Sequence, residues 1–332
     1  MFKADSIQIT VLVDNQVDML LPGQDSPLGA HNDCVSRYGL IEHFDSAKLP
    51  PQAENGISLL VDVQRGEHSV RILFDLGLTG SVLEHNMLSQ RISPESIDHV
   101  VISHGHPDHF GGISHFLQLT EKKIPIATHG DAELPRYAIM ADGRSSHCYN
   151  SAFRFDRLRE LGAVLVLSKE PLDLGWGVHT TGEIRREVPF EGPPADQPFG
   201  TPGLYQVGAD GSFRIDQVQD EIALVVDVAD VGLVVLTGCA HAGVINSLHK
   251  AIELTGNERV RAVMGGFHLG FPTTPRENVG LTVDALKQLQ VETVMPMHCS
   301  GLRAHSSMQE ELTSAYVQPS VGSVLRFGRP RT

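Results

Sequence analysis

Residues 104–109 read His104-Gly105-His106-Pro107-Asp108-His109, and their surroundings decide the fold. The apolar run His99-Val100-Val101-Ile102-Ser103 leads in as a buried strand, and Gly111-Gly112 followed by a helical pattern leads out. Four metal-ligating side chains thus fall within six residues, at a strand-to-helix turn that curls them inward. His104 and His106, two apart, can reach one metal ion. Asp108 and His109, adjacent, can serve a second ion a few ångströms away. Imidazole and carboxylate donors suit Zn, Mn or Fe rather than Ca. A His-rich surface loop would not need a buried strand before it and a glycine pair after it.

Outward from this segment, β-branched runs predict strands at 7–13, 57–63, 70–74, 100–103 and 163–167. Others follow at 222–228, 233–236, 261–264, 293–297 and 324–327. Ala229-Asp230-Val231-Gly232 has hairpin-turn chemistry. Helical periodicity is present at 81–88, at 244–254 with a stop near Gly256, and at 282–289. Strands in clusters, each followed by helices, imply two mixed sheets packed face to face with helices outside: a four-layer αββα sandwich. One domain spanning 1–332 is expected. The Pro-rich stretch 15–55 and the Gly/Pro-rich stretch near 185–203 read as lid-like loops beside the site.

The 332 residues are 41% hydrophobic and 20% charged, ordinary for a globular enzyme. A net charge of −14 argues against nucleic-acid partners. It leaves room for an anionic small-molecule substrate, because bound divalent ions reverse the local field. There is no basic-then-apolar leader and no apolar run near the roughly 20 residues of a membrane span. Cys34, Cys148, Cys239 and Cys299 are scattered, with no CxxC pair. Reduced thiols in a soluble, cytoplasmic protein are expected, free or as a homo-oligomer.

HGHPDH matches the HxHxDH signature of the metallo-β-lactamase superfamily. LVDN (12–15), ILFDLG (72–77), TGCAH (237–241), GGFHL (265–269) and MHCSG (297–301) follow the same family in order. Together they resemble the dihydropteroate-synthase-like branch, which includes the pterin–ribofuranosylaminobenzene phosphate synthases. The resemblance implies the αββα sandwich, with metals at one edge between the sheets. It implies His104 and His106 on the first metal, Asp108 and His109 on the second, and His298 completing the second site. Asp75 would support the metal loop through hydrogen bonds.

Two positions depart from the common pattern. Glu183 stands where a TPGH histidine is usual, and Cys239 stands where a bridging aspartate is usual. His241 is the first choice for the missing ligand, because the TGCAH loop leaves a buried strand. Cys239 and Glu183 remain alternatives, and a small buried thiol is the plain reading of Cys239 and Cys299. His268 reads as a substrate-facing acid/base or as a structural histidine, with the former preferred.

The chemistry expected first is hydrolysis of an ester, lactone or phosphoester by hydroxide on a pair of divalent ions, most simply zinc. Asp108 would orient the nucleophile and His268 would act as acid. Arg185 and Arg186 would hold an anionic group. The resemblance implies an alternative, transfer of a pterin pyrophosphate-type electrophile to an aromatic ribose phosphate. A di-iron redox or ligand-sensing protein is the third reading.

Overall fold

The computed structural model of the protein describes residues 2–25, 34–39, 44–46, 48–192, 201–271 and 274–328. Much of the two expected lids, at 26–33, 40–43, 47 and 193–200, lies outside the described residues. The first sheet has nine strands. From edge to edge they are Gln24–Asp25 (β2), Cys34–Ser36 (β3), Val324–Gly328 (β18), Ser6–Val13 (β1), Ser58–Arg65 (β4), His68–Phe74 (β5), His99–Val101 (β6), Ile124–Thr128 (β7) and Ala163–Leu167 (β9). From β5 to β9 the strands run parallel. The second sheet orders Asp173–Gly175 (β10), Val178–Thr180 (β11), Leu224–Val228 (β14), Gly232–Thr237 (β15), Val260–Gly266 (β16) and Val294–Met297 (β17). Within it, β15, β16 and β17 are parallel.

Period-two alternation sorts the side chains into layers. In β14, Leu224, Val226 and Val228 point into the core between the sheets, where they meet Ile9, Val61, Ile72 and Phe74. Val225 points the other way, onto Val244–Thr255 (α5), Arg276–Gln288 (α6) and Gly301–Glu311 (α7). On the far side, Leu60, Leu73, Val100 and Ile126 pack against Gly80–Ser89 (α1), Ile113–Leu119 (α3) and Phe155–Glu160 (α4). This is the αββα sandwich. Each fully buried Leu, Ile or Phe adds about 1.5–3 kcal/mol to that packing.

The hairpin turn falls between β14 and β15, with Asp230 and Gly232 both at positive φ, and α5 ends at Gly256 in the left-handed conformation. Three differences stand out. β7 went unpredicted because Pro125 reads as a strand breaker, yet it pairs in parallel with Val164. α6 starts six residues before its apolar periodicity, on the polar turn Arg276-Glu277-Asn278. A third antiparallel sheet of Phe213–Ile215 (β13), Gly203–Val207 (β12) and Arg136–Ile139 (β8) was not expected at all. Among the described residues no helix is long and apolar enough to cross a membrane.

Candidate metal centre

The site lies at the C-terminal ends of parallel strands from both sheets, where α/β folds place ligands. Each of four strands hands the chain to a non-glycine residue in the left-handed region within three residues of its end. These are Asp75 after β5 (φ 57°), Ala240 after β15 (φ 55°), His268 after β16 (φ 52°) and His298 after β17 (φ 47°). Such backbone costs roughly 1–3 kcal/mol per residue and clusters at functional sites. The loop after β6 carries His104 and His106, and a single helical turn, Pro107–Phe110 (α2), presents Asp108 and His109. Pro107 opens that turn, where its missing N–H is not needed.

Two triads form, each with its donor atoms within 4.8 Å of one another. One is His104, His106 and His241; the other is Asp108, His109 and His298. Cys239 Sγ sits between them. It lies within the same 4.8 Å of His104 and His109, of His241 and His268, and of His298 and Cys299. His104 Nε2 and His106 Nδ1 are 3.0 Å apart, and His109 Nε2 is 3.2 Å from Cys239 Sγ. His241 Nε2 and His298 Nε2 are buried without a hydrogen bond; the latter is 3.1 Å from Asp108 Oδ2, off hydrogen-bond alignment.

The far ring nitrogens are fixed from behind. Asp75 is wholly buried; its Oδ1 accepts the Ser103 N–H at 2.7 Å. Its Oδ2 accepts the Ser103 hydroxyl and His109 Nδ1–H, both at 2.7 Å. His104 Nδ1 faces Ser103 Oγ at 2.9 Å. This leaves the Nε2 atoms of both rings turned toward the cluster. Gly238 is required beside this hub, since a Cβ there would lie 2.1 Å from Ser103 Oγ. Asp14 Oδ1 accepts the His298 N–H at 2.8 Å, and Asn15 Oδ1 faces His298 Nδ1 at 3.1 Å.

Burial, reinforced by neighbouring imidazoles, drives His104 and His241 well below the ordinary histidine range. Burial and Arg136 bring His106 down to about 3. All three are therefore neutral, the ligating form. Burial would also lower His109, but the Asp75 and Asp108 carboxylates outweigh it and push the ring up to about 9. Burial would raise Asp108, yet His109 and His298 hold it below the usual carboxylate range. Burial pushes the Cys239 thiol up, so a cation is needed to make it a thiolate. Neutral, preoriented imidazoles, the unpartnered His241 Nε2 and an anionic carboxylate beside His298 fit a bound divalent cation.

Not every expected residue arrives. Glu183 contacts His129 Nε2 (3.1 Å) and Lys169 and joins none of these groups; Gly182 just before it is at positive φ. Arg185 and Arg186 separate. Arg185 is exposed and lines a surface cleft of about 170 Å³ with Glu187, His249 and Lys250. Arg186 is half-buried, bonds Gln217 and lies near enough to depress His241, while its Nε is buried without a partner. His268 reaches the site edge: its ring is 4.2 Å from His241 and 4.3 Å from the exposed Phe271. Sequence reasoning missed Ser103, Asn15, Tyr149 and Glu221. The polar Asp-Asn pair ending β1 was a readable signal for Asn15. Buried Glu221, which accepts the Ala242 N–H at 2.8 Å, had none.

An αββα sandwich with paired His/Asp groups at its strand ends defines a class of metal-binding folds. Residues 60–298 match the metallo-beta-lactamase superfamily, and the chain belongs to it. That superfamily typically binds divalent metals. The chain is 32% identical to the 7,8-dihydropterin-6-methyl-4-(beta-D-ribofuranosyl)-aminobenzene-5'-phosphate synthase of Methanocaldococcus jannaschii. That match covers 89% of this chain and 97% of the synthase. An uncharacterised protein of the same organism is 26% identical over 82% of this chain and 93% of its own length. The crystal structure of Tm1679, a metal-dependent hydrolase of the beta-lactamase superfamily, superposes with TM-score 0.69 at 24% identity, covering 98% of this chain and 100% of that one.

Proposed function

We propose that the chain is a metal-dependent transferase that joins a dihydropterin bearing a pyrophosphate leaving group to an aromatic amine carrying a ribose phosphate. The near-full-length likeness to the archaeal synthase carries this reading. In the balanced step the amine nitrogen attacks the pterin methylene carbon, the carbon–oxygen bond to pyrophosphate breaks, and the amine gives up a proton. His104, His106 and His241 would hold one ion and Asp108, His109 and His298 the other, with Cys239 between them; zinc best suits this nitrogen, oxygen and sulfur set. When bound, divalent ions supply positive charge that stabilises the departing pyrophosphate oxygens. Arg186 adds an unpartnered N–H donor for an anionic group. His268, whose ring lies between those of His241 and Phe271, would take the amine proton in this reading.

Hydrolysis of an ester, lactone or phosphoester is the second reading. The observation favouring it is Asp108, a carboxylate between His109 and His298 and one-quarter exposed, placed to orient an attacking water. Ions in both triads would lower the pKa of water from about 15.7 toward about 7. One assay separates the readings. Pyrophosphate release from zinc-loaded protein that requires both cosubstrates supports transfer. Turnover of bis-p-nitrophenyl phosphate alone, with no coupled product from the cosubstrate pair, sinks transfer in favour of hydrolysis.

A further inference from the structure

The unexpected third sheet delivers one residue to the metal loop. Arg136, the first residue of β8, is fully buried. Its backbone N–H donates to Asn150 Oδ1 at 2.8 Å, fixing where the side chain enters. Nε donates to Asp216 Oδ2 at 2.7 Å and the NH2 nitrogen to Asp220 Oδ1. The NH1 nitrogen donates to the carbonyl oxygens of Ala132 (2.9 Å) and Gly105 (3.2 Å). Asp220 closes the ring: its Oδ2 accepts the Gly105 N–H at 2.8 Å. Both polar groups of the Gly105 residue are therefore gripped, and Gly105 is the link between His104 and His106. A Cβ on Gly105 would lie 1.9 Å from the Ala132 oxygen and 2.1 Å from the Arg136 NH1 nitrogen, so this closeness accounts for the glycine.

The neighbouring Tyr149 belongs to the same unit. Its N–H donates to the Arg136 carbonyl at 3.0 Å, and its hydroxyl lies 3.4 Å from His106 Nε2. With Nε2–H directed to the phenol oxygen, His106 Nδ1 is left as the lone-pair nitrogen, 3.0 Å from His104 Nε2. His109, Asp108 and His298 receive no bond from this unit; Asp75 and Asn15 hold His109 and His298 instead.

We propose that Arg136, Asp220 and Tyr149 are positioning residues that preset the His104–His106 pair, so that the third sheet governs affinity for the ion at the first triad and not the second. The proposal rests on the paired-triad metal reading. Removing such supports behind metal ligands typically weakens binding ten- to hundredfold. A buried arginine between two aspartates is hazardous to delete, because two uncompensated charges remain. The milder variants Asp220→Asn and Tyr149→Phe therefore carry the test.

Full-length protein stripped of metal is titrated with zinc against a chromophoric chelator, in wild type and in each variant. The titrations are repeated with His298→Ala, which removes the second triad, and with His241→Ala, which removes the first. The expected result is two zinc ions in wild type, with one weakened about ten- to hundredfold by either variant. That loss persists with His298→Ala and vanishes with His241→Ala. Equal weakening of both ions, or wild-type affinity in Tyr149→Phe, overturns the brace while leaving the metal reading intact. A wild type that binds no zinc overturns both. Should Asp220→Asn fail to fold, Tyr149→Phe decides alone.

Discussion

Asp75→Asn is the sharpest test of how the second triad is held. The substitution keeps the shape and removes the larger of the two carboxylate charges, Asp75 and Asp108, that over the opposing effect of burial lift His109 to about 9 from 6.5. Both side chains are fully buried, so solvent screening is slight. At about 1.36 kcal/mol per pH unit, the gap from 6.5 to about 9 is worth about 3 kcal/mol in the metal-free protein. His109 has the higher pKa when folded, so this stability is full below pH 6.5 and disappears as pH rises through about 9. Urea unfolding of chelator-treated wild type and Asp75→Asn measures it directly. The variant is expected to lose more stability at pH 6 than at pH 10, with the full gap of about 3 kcal/mol shared between Asp75 and the Asp108 charge that the variant keeps. The pH-independent remainder comes from the Ser103 bonds that an amide meets less well. A stability difference that does not change between pH 6 and pH 10 would refute the charge pair.

Glu191, half-buried beside the first turn of α5, accepts the Ile245 and Asn246 N–H groups at 2.8 Å, and desolvation outweighs these bonds to raise its carboxyl to about 7. Its folded pKa exceeds the unfolded value of 4.5, so stability falls as pH rises from 4.5 to about 7, by about 3 kcal/mol. Glu191→Gln should remove that slope in thermal melts; an unchanged slope assigns it elsewhere. Zinc at about a thousand times its Kd should stabilise stripped protein by about 4 kcal/mol, reversed by chelator. Identical melting with and without zinc would contradict the ligand triads. Gly105→Ala should lose about 3 kcal/mol or more, or fail to fold, because both atoms it strikes are buried and held. A soluble variant with wild-type melting would mean that Arg136 can retreat without penalty.

What the sequence discloses here depends on how far a residue lies from its partners along the chain. His104 to His109 are contiguous and follow an apolar strand, so their convergence is a local matter. His241 and His298 each follow a strand of the second sheet, and it was the family resemblance, not strand periodicity, that put them near the same edge. Their pairing with particular neighbours was not readable from periodicity, because the parallel alignment of β15, β16 and β17 forms only when helices α5 and α6 cross between them; the resemblance alone assigned His298 to Asp108 and His109. Cys239 shows the difference. Its position, two residues beyond β15, was readable, while its place between the triads depends on the register of three strands and on left-handed Ala240. Glu183 shows the complementary limit: its sequence equivalence to a ligand position carries no direction, and its side chain meets His129 and Lys169.

Arg136 lies further still from inference. An isolated arginine opening a four-residue strand has no periodicity to mark it, and Asp216 and Asp220 are at least 80 residues away. Chain closure alone makes them partners. Yet the consequence returns to the one segment that was legible at once. Gly105 is a glycine in His-Gly-His because a buried guanidinium must touch its backbone. Any substitution that swells either partner should disturb His104 and His106 together while leaving the Asp75–His109 bond unchanged. The ligands of the first triad are thus written locally, but their spacing is set by a sheet whose strands begin about 30 and about 100 residues downstream.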